Sequence, residues 1–266
     1  MAKESRVGRC AVCCEERPLS RDHVPPRRAF NNDMRFLARI DHEQTRAGGQ
    51  VAWAHATTPQ TGYVASNLCV HCNNDFGAWY NSAYVGFTRY IAGVSLRPGI
   101  TLNIPTVRYP LRIVKTAIQC FASSLGRPFV DHQPWIRPFL LNKESQALPS
   151  VPRLFVFGVA TQGVGRQTGS IGISDERLRR PTVLAEFAFW PVGFVLCYED
   201  LNLEKSVPVA SISHWATYSY YDEAGISLDL PINDISTPYP LDFRTPQQVA
   251  DQSPSGPLPP WFVPRT

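Results

Sequence analysis

Lysine is scarce in this 266-residue chain. Only Lys3, Lys115, Lys143 and Lys205 occur among its 26 basic residues, and the other 22 are arginine. Long apolar runs are missing too. The most apolar stretch, Leu184 to Tyr198, is short for a membrane span and is broken by Glu186 and Pro191, so no transmembrane helix is expected. No apolar segment follows the charged opening Met1-Ala-Lys-Glu-Ser-Arg6. That sets aside a secretory signal and makes the cytoplasm the expected compartment. With 44% hydrophobic and 18% charged residues, the composition is not that of a disordered chain. No internal repeat is visible.

The length suffices for one large domain or two smaller ones around a sizeable core. The net charge of +4 is unevenly placed: residues 1–97 hold 12 Lys and Arg against 8 Asp and Glu, while the remainder holds 14 of each. Arginine suits bidentate contacts with phosphate. A coding bias would produce the same arginine excess, so charge alone gives weak support to a nucleic-acid partner.

The pattern predicts an α+β protein. Residues 1–30 read as a tight cysteine turn followed by an extended hairpin, because Pro18 and Pro25-Pro26 oppose a helix. Residues 31–62 read as a polar insertion with a short helix and one strand, Gln50 to Ala56. Asn73, Asn74 and Asp75 are candidate N-caps for a helix whose apolar face is Phe76, Trp79, Tyr80, Ala83, Tyr84, Phe87 and Ile91. A second helix is expected from about Leu111 to Leu125, ended by Gly126 with Pro128 beyond. Strand-like runs follow at Leu154–Val159, Ser170–Ile173, Val183–Phe189, Val192–Tyr198, Ser211–Tyr221 and Ile226–Leu230, with a hairpin corner at Trp190-Pro191. They predict an antiparallel sheet. From Asn233 the Pro-, Ser- and Gln-rich sequence reads as an extended or mobile tail, with Trp261-Phe262 as a possible anchor. The expected units are 1–97, 98–232 and 233–266.

Four of the seven cysteines form two CxxC pairs, Cys10/Cys13 and Cys69/Cys72. Without a secretory signal, this favours metal ligation over disulfides. Two such turns can complete a tetrahedral four-thiolate zinc site, which leaves no open position and is therefore structural. The interval between the pairs is much longer than the usual spacing of about 15–20 residues. Cys14 competes with Cys13, but only Cys13 keeps the spacing to Cys10. Cys120 and Cys197 sit in apolar runs and read as core thiols. His71 reads as a turn residue, and His42, His55, His132 and His214 lack ligand spacing.

Asp22-His23-Val24-Pro25-Pro26 follows the first pair, and Asn67-Leu68 leads into the second, which ends Cys72-Asn73-Asn74. This arrangement over about residues 8–92 resembles the HNH endonucleases, whose ββα-metal fold carries a structural zinc. The run Cys72-Asn-Asn-Asp-Phe-Gly77-Ala-Trp-Tyr80 resembles a bacterial subgroup of that family with a CNNxxGxxY-like helix. The resemblance implies an N-terminal zinc-stapled ββα-metal module, linking helices and a C-terminal antiparallel β-rich domain. It implies that Asp22 and Asn73 hold Mg2+ or Mn2+, that His23 is the general base, and that Asn67 is the middle asparagine. Arg21, Arg27 and Arg28 are the expected nucleic-acid contacts. DNA is the implied substrate, with RNA and a homodimer as open possibilities. Asn67 stands closer to its knuckle than the family's middle asparagine, the last motif position is Asn rather than His, and the insertion is long.

The chemistry suits these roles. Mg2+ prefers hard oxygen ligands and keeps several waters. An imidazole with an ordinary pKa of about 6.5 accepts a proton from water near neutral pH. Free N–H groups at the helix start near Asn73–Asp75 would suit a phosphate. Blander readings stay open on the residues alone. Asp22-His23 also fits a turn pair bracing the knuckle, Asn73-Asn74 a helix cap, and Arg17, Arg21, Arg27 and Arg28 a solvated face. The rival to a nuclease is a non-catalytic zinc module that binds nucleic acid or protein. A toxin-like or defence effector is a third reading.

Overall fold

A computed structural model describes residues 6–32, 36–40, 54–56, 62–173, 181–223, 225–237 and 239–252. It is a mixed α+β fold with one large sheet. Among the described residues, no helix is long and apolar enough to cross a membrane.

The first cysteine turn lies between β1 (Val7–Arg9) and β2 (Glu16–Pro18), which pair antiparallel. The expected hairpin after the knuckle is not local. β3 (Asp22–His23) skips over β4 (Phe36–Ile40) and β5 (Ala54–Ala56) to pair with β6 (Val64–Ala65). Phe36–Ile40, in the expected insertion, joins the large sheet. Of the expected strand Gln50–Ala56, only Ala54–Ala56 lies within the described residues, and it is a strand.

The first long helix begins earlier than the sequence suggests. α1 (Val70–Trp79) starts inside the second CxxC pair, capped by Cys69 rather than by Asn73–Asp75. Asn73 already donates its N–H to the Cys69 carbonyl at 3.0 Å, so it offers no free amide to a phosphate. The helix then breaks at Tyr80, and α2 (Asn81–Ala92) continues. At the break the buried Tyr80 hydroxyl donates to the Leu140 carbonyl at 2.7 Å. The offset keeps Phe76, Tyr80, Tyr84, Phe87 and Ile91 all in the core.

An unpredicted strand, β7 (Thr101–Val107), precedes α3 (Pro110–His132). Pro110 opens α3 at a position where no N–H is needed. Gly126, expected to end this helix, instead kinks it with φ 74°, and Pro128 sits in a further turn. Glycine is needed at the kink because a Cβ there would also press on the Asn67 side chain at 3.1 Å. α4 (Ile136–Leu141) completes the helical layer.

The sheet contains β8 (Arg153–Val159), β9 (Val164–Ile173), β10 (Thr182–Phe189), β11 (Val192–Cys197), β12 (Ala210–Ser211) and β13 (Ile226–Asn233). Its order is β5-β4-β9-β10-β11-β8-β13-β7, with β12 also on β8. It is mixed rather than antiparallel, since β4 runs parallel to β9 and β13 to β8. Trp190-Pro191 forms the hairpin corner, with Phe189 opposite Val192.

Strands β8, β10 and β11 are mostly apolar because both faces are covered, with Thr182 and Glu186 as buried polar exceptions. Leu154, Val156, Phe187, Phe194 and Leu196 pack in the cluster that contains α3, where Phe121 meets Phe187 edge-on at 4.8 Å. Phe155, Phe157, Leu184, Val195 and Cys197 face Leu203, Val207, Val209, Ile235 and Leu241. The helix-side cluster extends from Cys10 to Ile232.

Two further expectations are corrected. The expected strand Ser211–Tyr221 stops at Ser211, the end of β12: Ser213–Thr217 forms a 3-10 turn, because Ser213 Oγ accepts from Leu154 N at 2.7 Å and buried Trp215 packs edge-on to Phe87. The segment after Asn233 is not a loose tail as far as Gln252. Ile235, Leu241 and Val249 are buried, and Pro246–Gln252 is helix α5. The anchor is a fully buried ion pair between Arg166 and Glu186. Arg166 donates to the Thr237 and Asp242 carbonyls, and Glu186 accepts from Leu241 N at 2.9 Å. Trp261-Phe262 lies outside the described residues.

Candidate functional site

The four paired cysteines converge. Cys10 and Cys13 come from the turn after β1, and Cys69 and Cys72 from the start of α1. Their sulfur atoms all lie within 4.8 Å of one another. Cys13 and Cys69 are 3.8 Å apart. Four thiolates about 2.3 Å from one tetrahedral ion stand roughly 3.8 Å apart, so the cluster could hold a metal such as zinc. Backbone N–H groups point at the sulfurs, Cys69 N to Cys10 Sγ at 3.3 Å and Cys72 N to Cys69 Sγ at 3.5 Å. Cys72, hydrogen-bonded to Cys10, pushes the Cys10 thiol down to about 4, while the same contact pushes Cys72 far up. Burial pushes Cys13 up to about 11. Four thiols this close ionise together only around a cation. Cys14 stands outside the cluster, with φ 63° and its thiol on the Val12 carbonyl. His71 is exposed and faces Asp75 at 3.5 Å.

One short ladder ties this cluster to Asp22-His23. Leu19 bridges Cys69, Ser20 N donates to Leu68 O at 2.9 Å, Asp22 pairs with Ala65 and His23 with Val64, and Val24 N donates to Tyr63 O. Asn73 and Asn74 follow Cys72 on α1. The result is a cleft of about 620 Å³ lined by Asp22, His23, Asn73 and Asn74. Arg21, Arg27, Arg28 and Arg89 line it as well. All four arginines are exposed, and none is ion-paired among the described residues. Arg17, by contrast, pairs with Glu15.

No protein-family model, curated protein or solved structure matches this chain. The site therefore has to be read from its own chemistry. His23 is half-buried in the cleft wall. Asp22 is only 6% exposed. Burial pushes its carboxyl up to about 6, against the pull of Ser123 and Gln119 on α3. Among the described residues, no cationic side chain offsets that burial. Ser123 Oγ and Gln119 Oε1 are buried and complete no hydrogen bond of normal geometry. A buried carboxylate beside orphaned oxygens fits an oxygen-preferring divalent cation.

Asn67 is not among the cleft-lining residues. Its amide donates to the Ser123 carbonyl at 2.7 Å, and its own carbonyl accepts from Ala11 N. It links the first knuckle to α3.

Two residues escaped the sequence reading. Asn31 is buried and fully used: Nδ2 donates to Pro25 O and Tyr63 O at 2.8 Å, and Oδ1 accepts from Tyr63 N at 2.7 Å. It clamps the loop after His23 onto β6. Gly62 permits this approach, since a Cβ would sit 2.0 Å from the Asn31 carbonyl oxygen. Arg89 extends the basic rim along α2. Its only sequence signal is its place on the polar face opposite Tyr84, Phe87 and Ile91, in step with Asn73, Gly77, Asn81 and Val85.

Proposed function

We propose that this chain is a metal-dependent endonuclease of the HNH type that hydrolyses phosphodiester bonds in DNA. The observation that carries the reading is the shared cleft: Asp22, His23 and Asn73 line one cavity rimmed by four exposed arginines. A β3–β6 pair followed by α1 matches the ββα order that the resemblance implies. The cysteine cluster is assigned a structural zinc, which holds the ladder at Leu19–Cys69 and so fixes where Asp22 and His23 point.

Asp22 and Asn73 would supply a carboxylate and an amide oxygen to Mg2+ or Mn2+, which contributes charge stabilisation at the scissile phosphate. His23 takes the proton from the attacking water. The water oxygen bonds to phosphorus as the bond to the leaving oxygen breaks. Arg21, Arg27, Arg28 and Arg89 hold the flanking phosphates as planar, permanently charged donors.

A second reading is a zinc module that binds nucleic acid without cutting it. The deep burial of Asp22 favours it, because a bracing residue would also be buried. Incubation of the zinc-loaded protein with supercoiled plasmid and Mg2+ or Mn2+ separates the two. Nicked or linear product supports the nuclease. Binding with a steep salt dependence and intact plasmid across metals supports the rival.

A further inference from the structure

A second cavity, of about 400 Å³, begins where the basic loop of the cleft ends. Its size falls within the range of about 300–1,000 Å³ typical of small-ligand pockets. Phe30 and Trp190 form its aromatic wall, edge-on with ring centroids 4.6 Å apart, and both are half-buried. Asn32 and Gln162 are exposed at the same pocket, and neither side chain is hydrogen-bonded to another described residue. Two links join this pocket to the cleft. Arg27 and Arg28 line the cleft, and Phe30, just beyond them in the chain, lines the pocket. Two residues of chain span at most about 7 Å. Phe30 is held there in the left-handed conformation, φ 68°, which is strained for a phenylalanine. On the other side, the pocket's buried Phe189 stacks on Tyr63 at 6.2 Å, and the Tyr63 carbonyl accepts from Val24 N, next to His23.

We propose that this pocket takes one unpaired nucleobase of the DNA strand held in the cleft. The base stacks against Phe30 and Trp190, and the Asn32 and Gln162 amides meet the donors and acceptors of its edge. This rests on the reading of the cleft as a DNA site and adds a substrate preference to it. Among the described residues, no charged side chain lines the pocket. An anionic ligand would find no cation there, and a purely apolar one would leave both amides unused. A planar group with polar edges uses both kinds of wall. Phosphates on the arginines fix the path of the strand. A base enters the pocket only when it is out of the double helix, because a paired base has its faces covered by its neighbours. Single-stranded or locally unpaired DNA is then the preferred substrate. Stacking accepts any base, and the two amides add a modest preference among them.

The test is fluorescence anisotropy with full-length, zinc-loaded protein and no added Mg2+ or Mn2+. The probes are a labelled single-stranded oligodeoxynucleotide and a strand of the same length with abasic residues throughout. Wild type is expected to bind the ordinary strand at least about tenfold more tightly than the abasic one. Trp190→Leu is expected to lose about tenfold on the ordinary strand and to match wild type on the abasic strand, with zinc content unchanged. Trp190→Phe, which keeps an aromatic ring, should restore most of that loss. Wild type that binds the two strands within about twofold of each other overturns the base pocket and leaves the cleft reading intact. So does a Trp190→Leu protein that keeps wild-type affinity or weakens on both strands equally. Wild-type protein that binds neither strand overturns both.

Discussion

Strands β8 to β11 run six to ten residues, and most of their side chains are buried, on both faces. β3 and β6, which carry Asp22 and His23 into the cleft, are two residues each. A strand pair that short does not stand alone in water. The sheet holds its shape through apolar burial, whereas the cleft relies on a few directed contacts: four thiols, the Asn31 clamp and the Asn67 link to α3. The scaffold tolerates small losses because many contacts share the load. The cleft does not, because each contact there fixes the direction of a particular cleft side chain.

The contrast breaks most sharply at the cysteines. Cys72→Ser is expected to reduce bound zinc from about one ion per chain to near zero and to remove much of a metal contribution of roughly 10 kcal/mol. Hydrogen exchange should then speed up at Ser20, Val24 and Cys69, while amides of β10 and β11 stay protected. Equal loss of protection in both regions would contradict the division. On the sheet side, Glu186→Ala leaves Arg166 buried and unpaired, at a cost of about 3–5 kcal/mol in guanidinium unfolding, with zinc content unchanged. Asn31→Ala strands the Pro25 carbonyl and the Tyr63 N–H beside the cleft, while the Tyr63 carbonyl keeps Val24 N. About 2–3 kcal/mol of stability should be lost, and cleavage should fall along with it.

A pH-dependent effect is expected in the helical layer. Burial pushes Lys115 down to about 7, where it donates to the Phe139 and Asn142 carbonyls. Between pH 7 and its unfolded value near 10.5, the unfolded chain binds the extra proton. The burial penalty of this group is therefore full below about pH 7 and is relieved as pH rises through that window. Lys115→Met should flatten that slope, and urea unfolding at pH 7 and pH 9.5 reads the difference.

Much of the sheet was legible because continuous apolar runs such as Leu154–Val159 and Val183–Phe189 signal strands buried on two faces. β7 was not, since Asn103, Pro105 and Thr106 face solvent on an edge strand, where proline is tolerated. Ser211–Tyr221 has the residues of a strand, but the Ser213 contact with Leu154, 59 positions away, turns it into a 3-10 segment. The segment after Asn233 looked loose because its anchors, Arg166 and Glu186, lie far back in the chain. At the cleft, spacing pointed to the four cysteines, and the family resemblance pointed to Asp22, His23 and Asn73. It could not reveal Asn31, whose partner Tyr63 is 32 positions on, nor the turn of Asn67 towards α3. The helix start was misplaced because a cysteine, not an asparagine, supplies the cap.

The most direct test of the central claim is single-turnover cleavage of supercoiled plasmid by zinc-loaded wild type and His23→Ala protein in Mg2+ and in Mn2+. The expected result is metal-dependent nicking by wild type and a rate lower by at least about 100-fold in His23→Ala, with equal zinc content and thermal midpoint. Equal cleavage by the two proteins, or no cleavage by wild type in either metal, would contradict it.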